Sequence, residues 1–295
     1  MPGRAHRLNT ALLALLILAF TGGPVLLAFY GSVVPDRVLL DRSLSVFEGG
    51  LSLESYRYIF TGELPAAYLV EGANRAMISD AARQVPQSLW NSTRIAVAAM
   101  VLNILIGAPA AYMFARHVFP GKKLSFLFII LSPLVPTTAL VVPVYLLMQN
   151  LGLIGSVYGI ILVHTVQALP FTILILSVFF RRLPAELFEA AAIDRCTGFR
   201  AFARIAVPLA LPSIGATGLF AFMLSYSEYI FALVLSGDAR SRPISVVMAA
   251  LARNTDVSWS LLNASIFLAL IPTLVLVVLV WRFVVEGLIS GAVKG

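Results

Sequence analysis

A chain of 295 residues that is 60% hydrophobic and only 12% charged, with a mean hydropathy of +0.94, departs from the soluble balance of about half apolar and a quarter charged and reads as a membrane protein. The net charge of +7 comes from basic residues scattered singly or in pairs, without interleaved aromatics, which excludes a nucleic-acid surface and points to membrane orientation. The single cysteine, Cys196, excludes an internal disulfide, and His6, His117 and His164 lack metal-ligand spacing, so no metal is expected.

Arg4 and Arg7 precede an apolar run from Leu8 to Tyr30, longer than a secretory h-region and without a small-residue cleavage site, which predicts a retained first span. At about 20 residues per crossing, further spans follow near Leu89–Ala115, Leu124–Met148, Val157–Phe180, Leu209–Leu235 and Leu261–Val285, with the first extending from Leu8 to Val34. The predicted fold is all-α, a polytopic bundle of six transmembrane helices in one domain over residues 1–295. Pro133, Pro136, Pro143, Pro170 and Pro272 fall inside these runs and are expected to kink them.

Orientation follows from Lys and Arg in the short connections. Arg4, Arg7, Arg116, Lys122, Lys123, Arg181, Arg182, Arg195, Arg200, Arg204, Arg282 and Lys294 all fall on one side of a six-span chain. That side is cytoplasmic, with both termini. The stretch 35–88 mixes acids and bases to almost no net charge and is expected to be an external segment.

The other long connection, 181–208, predicts a helix from Pro184 onward. Pro184 suits a first turn, Glu186 and Glu189 sit at the positive end of the dipole, the alanines favour helix, and Gly198 can end it. A helix of about ten residues is marginal alone in water. It either packs on a cytoplasmic partner, offering the carboxylates of Glu189 and Asp194 to cations, or lies on the membrane as a connector.

The run Glu189, Ala190, Ala191, then Ile205 and Pro208, resembles the EAA loop of binding-protein-dependent ABC importer permeases, with Val207 in the place of a Leu. Arg195 stands where that pattern has Gly, so Arg195 is expected in an ordinary conformation with Gly198 taking over the chain reversal; the alternative is a contact with an unusual partner surface. Further stretches resemble the maltose-type second permeases of carbohydrate uptake: Ser52, Leu53, Tyr56 and Phe60; Asn91 and Ser92 followed by Ala110, Ala111, Tyr112 and Arg116; and the tail Gly287–Gly295. The stretch 62–87 matches no pattern. The resemblance implies an ATPase-coupling loop built on Glu186, Glu189, Ala190, Ala191, Asp194 and Gly198. It also implies two ATP-binding subunits that hold ATP and Mg, a second, homologous and non-identical permease, an external solute-binding protein, a sugar-like solute, and a place in a bacterial inner membrane.

Within the fifth span Glu228 is costly in lipid unless paired or wet, and Ser225, Tyr226, Ser227 and Tyr229 surround it. These rings and hydroxyls can contact a sugar in a translocation path, or Glu228 can join helices by hydrogen bonds. His164 and Gln167 in the fourth span join the same candidate path, or are satisfied by neighbours. An ion-coupled carrier would also show kinked spans and a buried carboxylate, but it leaves the EAA-like loop unexplained. The sequence has no G-x-x-x-x-G-K-[ST] loop, no H-E-x-x-H and no G-x-S-x-G, so no enzymatic activity and no cofactor of its own are expected.

Overall fold

The long apolar runs fold as helices, because a backbone in lipid must satisfy its N–H and C=O groups within each segment. The structure is a computed structural model that describes residues 4–40, 50–63, 80–196, 198–254 and 258–292. In chain order its helices are α1 (Arg4–Val33), α2 (Asp36–Leu40), α3 (Glu54–Thr61), α4 (Asp80–Arg83), α5 (Val85–Arg116), α6 (Lys122–Leu131), α7 (Thr137–Asn150), α8 (Val157–Arg182), α9 (Ala185–Ile193), α10 (Phe199–Leu209), α11 (Leu211–Ser227), α12 (Ile230–Leu235), α13 (Ile244–Arg253) and α14 (Trp259–Ala292). Among the described residues there is no strand. Most of the 62–87 stretch and the end of the Gly287–Gly295 tail lie outside the described residues.

Asn9–Val33, Val85–Arg116, Val157–Arg182 and Trp259–Trp281 are each long and apolar enough to cross a membrane. Two bent pairs bring the number to six when each is taken as one span: Lys122–Leu134 with Thr137–Asn150, bent by 102°, and α10 with α11, bent by 82°. The third span is therefore not the single helix expected over Leu124–Met148. Its helix tightens into a 3-10 turn at Ser132–Leu134, and Val135 turns extended (φ −71, ψ 122) because the ring of Pro136 disfavours a helical residue before it. Pro143, Pro170 and Pro272 instead lie inside continuous α7, α8 and α14.

The chain folds as two compact units, Met1–Gln87 with Val247–Ile271, and Ser88–Val246 with Pro272–Gly295. In the first, Phe29 and Phe267 pack with ring centroids 5.1 Å apart. Asp36 Oδ1 accepts from the Ser260 N–H at 2.7 Å, Ser55 donates to Ser260 at 3.1 Å and Tyr56 to Ser32 at 2.7 Å. Gly31 leaves room for Asn263, whose side chain would meet any added Cβ.

In the second unit, α8 is the central helix. Asn103 of α5 donates to the Ala99 and Thr165 carbonyls, and Thr172 donates to Asn103 Oδ1 at 3.2 Å. Gly107 faces Thr172 and Gly218 faces Ile104 so closely that a Cβ would collide, which brings small-residue faces into close helix packing. Toward the other end of α5, Asn91 donates to the carbonyls of Ala239 and Arg242, both at 2.9 Å, and Ser92 accepts from the Ile244 N–H at 2.7 Å. The connection from α12 to α13 is thereby fixed to α5.

Candidate functional sites

The helix expected after Arg182 forms as α9. Leu183 is extended (ψ 136) and Pro184 occupies the position before Ala185. One side of α9 is seated on the second unit. Phe188 lies 6.1 Å from the Tyr112 ring and 4.3 Å below the Arg116 guanidinium, a cation–π contact. Arg116 also donates to the Leu183 carbonyl. Ala191 is buried, and Phe180 and Phe202 complete an aromatic cluster around Tyr112.

The other side of α9 is open. Glu186, Glu189, Ala190 and Asp194 are exposed, as are Leu187 and Ile193, the latter at 84%. Among the described residues none of the three acids forms an ion pair. Ala190 and Ala191 thus point to different environments: Ala191 permits the close seat, and Ala190 belongs to the open face.

The end of α9 differs from the expectation. The helix stops at Ile193, not at Gly198, and Arg195 is not in an ordinary conformation: its φ is 55, the only positive φ outside glycine among the described residues. Cys196 N–H donates to the Ala191 carbonyl at 2.8 Å and Arg195 N–H to that of Ala192 at 3.1 Å. This is the paired 6→1 and 5→2 bonding of a Schellman motif, whose geometry demands a left-handed residue at the Arg195 position and so usually selects Gly. An L-residue with a Cβ costs about 1 kcal/mol there. Gly198 (φ 57, ψ −127) supplies a second reversal just before α10, so the loop turns twice.

In the spans, three of the six candidate path residues come together. His164, Gln167 and Glu228 line a cavity of about 220 Å³ with Ala168, Phe171, Leu224 and Ser225. His164 Nδ1 lies 2.8 Å from Ser225 Oγ, and Nε2 lies 3.0 Å from Glu228 Oε2. The His164 and Glu228 side chains are only 1% and 8% exposed. With Glu228 ionised, the carboxylate can only accept, so Nε2 carries the proton and Nδ1 of a neutral ring accepts from Ser225.

Glu228 has further duties. It sits between α11 and α12 in extended conformation (ψ 133), and its carboxylate accepts from the N–H groups of Phe231 at 3.0 Å and Ala232 at 2.9 Å. Those donors open α12 and have no partner within the helix. Ser245 donates to the Glu228 carbonyl at 2.7 Å. Tyr226, Ser227 and Tyr229 are not among the lining residues: Tyr226 stacks on Phe222 at 5.4 Å, and Ser227 bonds back to the Met223 carbonyl at 2.8 Å. A second, apolar cavity of about 440 Å³ lies between α7 and α8, and Gln167 and Phe171 line it as well.

In the sequence Arg116 marks the cytoplasmic side and, with Tyr112, forms part of a family-like pattern. Their task here is to seat α9. The available signal was their helical spacing, i and i+4, at the end of an apolar run.

The comparisons with known proteins agree with this architecture. The family described as "Binding-protein-dependent transport system inner membrane component" matches residues 103–286, well over half of the chain. A putative ABC transporter permease protein of Streptomyces antibioticus is 37% identical over 204 residues, covering 69% of this chain and 89% of that one. The trehalose transport system permease SugB of Mycobacterium tuberculosis is 30% identical over 287 residues, 97% of each chain, and the diacetylchitobiose uptake permease NgcG of Streptomyces coelicolor is 34% identical over 202 residues, 68% of this chain and 67% of that one. Among solved structures, a chain of a bacterial ABC transporter involved in import of the acidic polysaccharide alginate superposes with a TM-score of 0.70 at 19% identity, covering 96% of this chain and 99% of that one, a likeness of fold.

This chain belongs to the family of inner-membrane permease components of binding-protein-dependent ABC importers. It is a multi-pass transport subunit and not an enzyme; its family works with an ATP-hydrolysing subunit and a solute-binding protein.

Proposed function

We propose that this chain forms one half of the translocation path for a sugar or sugar-like solute and that α9 is the joint through which a separate ATPase moves it. The sugar class rests on the relatives whose names give trehalose and diacetylchitobiose as cargo. The observation that carries the coupling role is the two-sided construction of α9. Phe188, Leu183 and Ala191 tie it to the ends of α5 and α8, while Glu186, Glu189, Ala190 and Asp194 stand open to a docking surface. A push on the open side is transmitted to the spans, because packed interfaces shift between discrete arrangements and do not deform continuously. Gly198 lets the chain reverse into α10 behind that surface.

In this reading the whole chain acts as one permease domain with both termini in the cytoplasm, 35–88 outside and 181–208 inside. A homologous, non-identical permease supplies the other half of the path. ATP and Mg bind a pair of partner ATPases, and an external binding protein delivers the solute. His164, Gln167 and Glu228 lie at one cavity wall, with Tyr226, Ser227 and Tyr229 on the same stretch of chain. Family membership does not favour an ion-coupled carrier, which would transport without ATP.

The test is uptake of radiolabelled trehalose and diacetylchitobiose by proteoliposomes carrying the assembled importer. Glu189→Lys is expected to leave the melting temperature of the permease unchanged while uptake falls at least tenfold. Uptake at the parental rate by that variant would remove α9 from the coupling route.

A further inference from the structure

Arg195 combines a strained backbone with an unused charge. Its φ of 55 places it in the left-handed region that disfavours a side chain with a Cβ. Its side chain is exposed, and among the described residues it takes part in no hydrogen bond or ion pair. The Schellman closure of α9 would be met with less strain by Gly or Asn. Attraction of a cation to the negative end of α9 does not account for it either, because an arginine at position 194 or 196 would serve that end from an ordinary conformation. Strain held at an exposed position without return inside the chain points to a contact outside it.

We infer that Arg195 is a partner-recognition residue whose guanidinium binds a carboxylate on the ATP-hydrolysing subunit, at the edge of the surface that receives α9. The inference rests on the docking role given to α9 above and adds the chemistry of the partner. The fixed left-handed turn sets the direction of the Arg195 side chain relative to Asp194 and Glu189. The partner surface is therefore complementary in a defined order, cations facing the acids of α9 and then an acid facing Arg195. Arginine suits this better than lysine, because its planar fork takes a carboxylate bidentately. Such an alternation of sign selects among related ATPases, since a partner with a cation in place of that acid would be repelled.

The experiment titrates the purified ATP-hydrolysing subunit of the same importer onto the full-length permease, assembled with its sister permease in lipid nanodiscs. Arg195→Gly is expected to raise the melting temperature of the permease by a few degrees, through relief of the turn, and yet to weaken association about tenfold, or about 1.4 kcal/mol. Arg195→Lys should recover part of the loss, and the Gly variant should show a flatter dependence of association on salt than the parent. Association of Arg195→Gly within twofold of the parent would overturn the inference, whatever its melting temperature. Glu189→Lys in the same titration separates the two readings. If it binds normally, the docking role of α9 fails; if it is lost while Arg195→Gly binds normally, only the role of Arg195 fails.

Discussion

On α9, Glu186 and Glu189 are exposed and form no ion pair among the described residues. At the break between α11 and α12, Glu228 is 8% exposed and holds two backbone N–H groups and a histidine. Both regions carry acids beside short helices, and both stand out in an apolar sequence. The first leaves its carboxylates exposed, and the second uses its carboxylate to bind its own chain. A carboxylate in or near a membrane span thus does not declare its task by position. The count of hydrogen bonds it already makes is what separates a contact from a brace.

The sharpest way to break that contrast is to truncate the brace. Glu228→Ala would leave the Phe231 and Ala232 N–H groups and one nitrogen of His164 without their acceptor in a buried place, a loss of about 3 kcal/mol. Thermal unfolding of the purified permease in detergent checks this, with Glu189→Ala as the control expected to stay within about 0.5 kcal/mol of the parent. A Glu228→Ala protein that melts like the parent but fails to transport would recast Glu228 as a solute contact.

A smaller effect is expected where α9 is seated. Arg116→Ala removes the bond to the Leu183 carbonyl and the cation over Phe188, together worth about 1.5 kcal/mol. The loss should be local, so hydrogen exchange of the α9 amides is the informative measurement, and they should exchange several-fold faster. Unchanged protection would mean that Tyr112, Phe180 and Phe202 hold α9 without help from Arg116.

The long spans and α9 were legible because apolar length and alanine-rich helix propensity act locally. The helix breaks at Val135 before Pro136, yet Pro143, Pro170 and Pro272 lie inside unbroken helices, and sequence alone treats these prolines alike. The turn at Arg195 was misread because φ was assigned from residue type, and the hydrogen bonds of Cys196 and Arg195 back to α9 overrode that preference. The pairing of His164 with Glu228 spans 64 positions, and no periodicity within either helix announces it. The candidate residues around Glu228 run consecutively along the chain, whereas the cavity takes one face of each helix, at 164, 167, 168 and 171 of α8 and at 224 and 225 of α11 with Glu228 after it, and so omits Tyr226, Ser227 and Tyr229.

The smallest effect on stability, and the most selective one on transport, is expected at Gln167. It lines both the 220 Å³ cavity beside His164 and Glu228 and the 440 Å³ apolar one, and its amide makes no hydrogen bond among the described residues. His164 and Glu228 cannot be changed without disturbing the brace, so neither can report cleanly on a path. Gln167→Leu replaces the amide with an apolar side chain of similar volume, which should shift stability by less than about 0.5 kcal/mol. If solute passes along this wall, loss of one amide contact should lower sugar uptake several-fold while the solute-independent ATPase rate of the assembled importer stays at the parental value. Parental uptake by Gln167→Leu would move the path off α8 and leave the 220 Å³ cavity as the hollow beside a structural clasp.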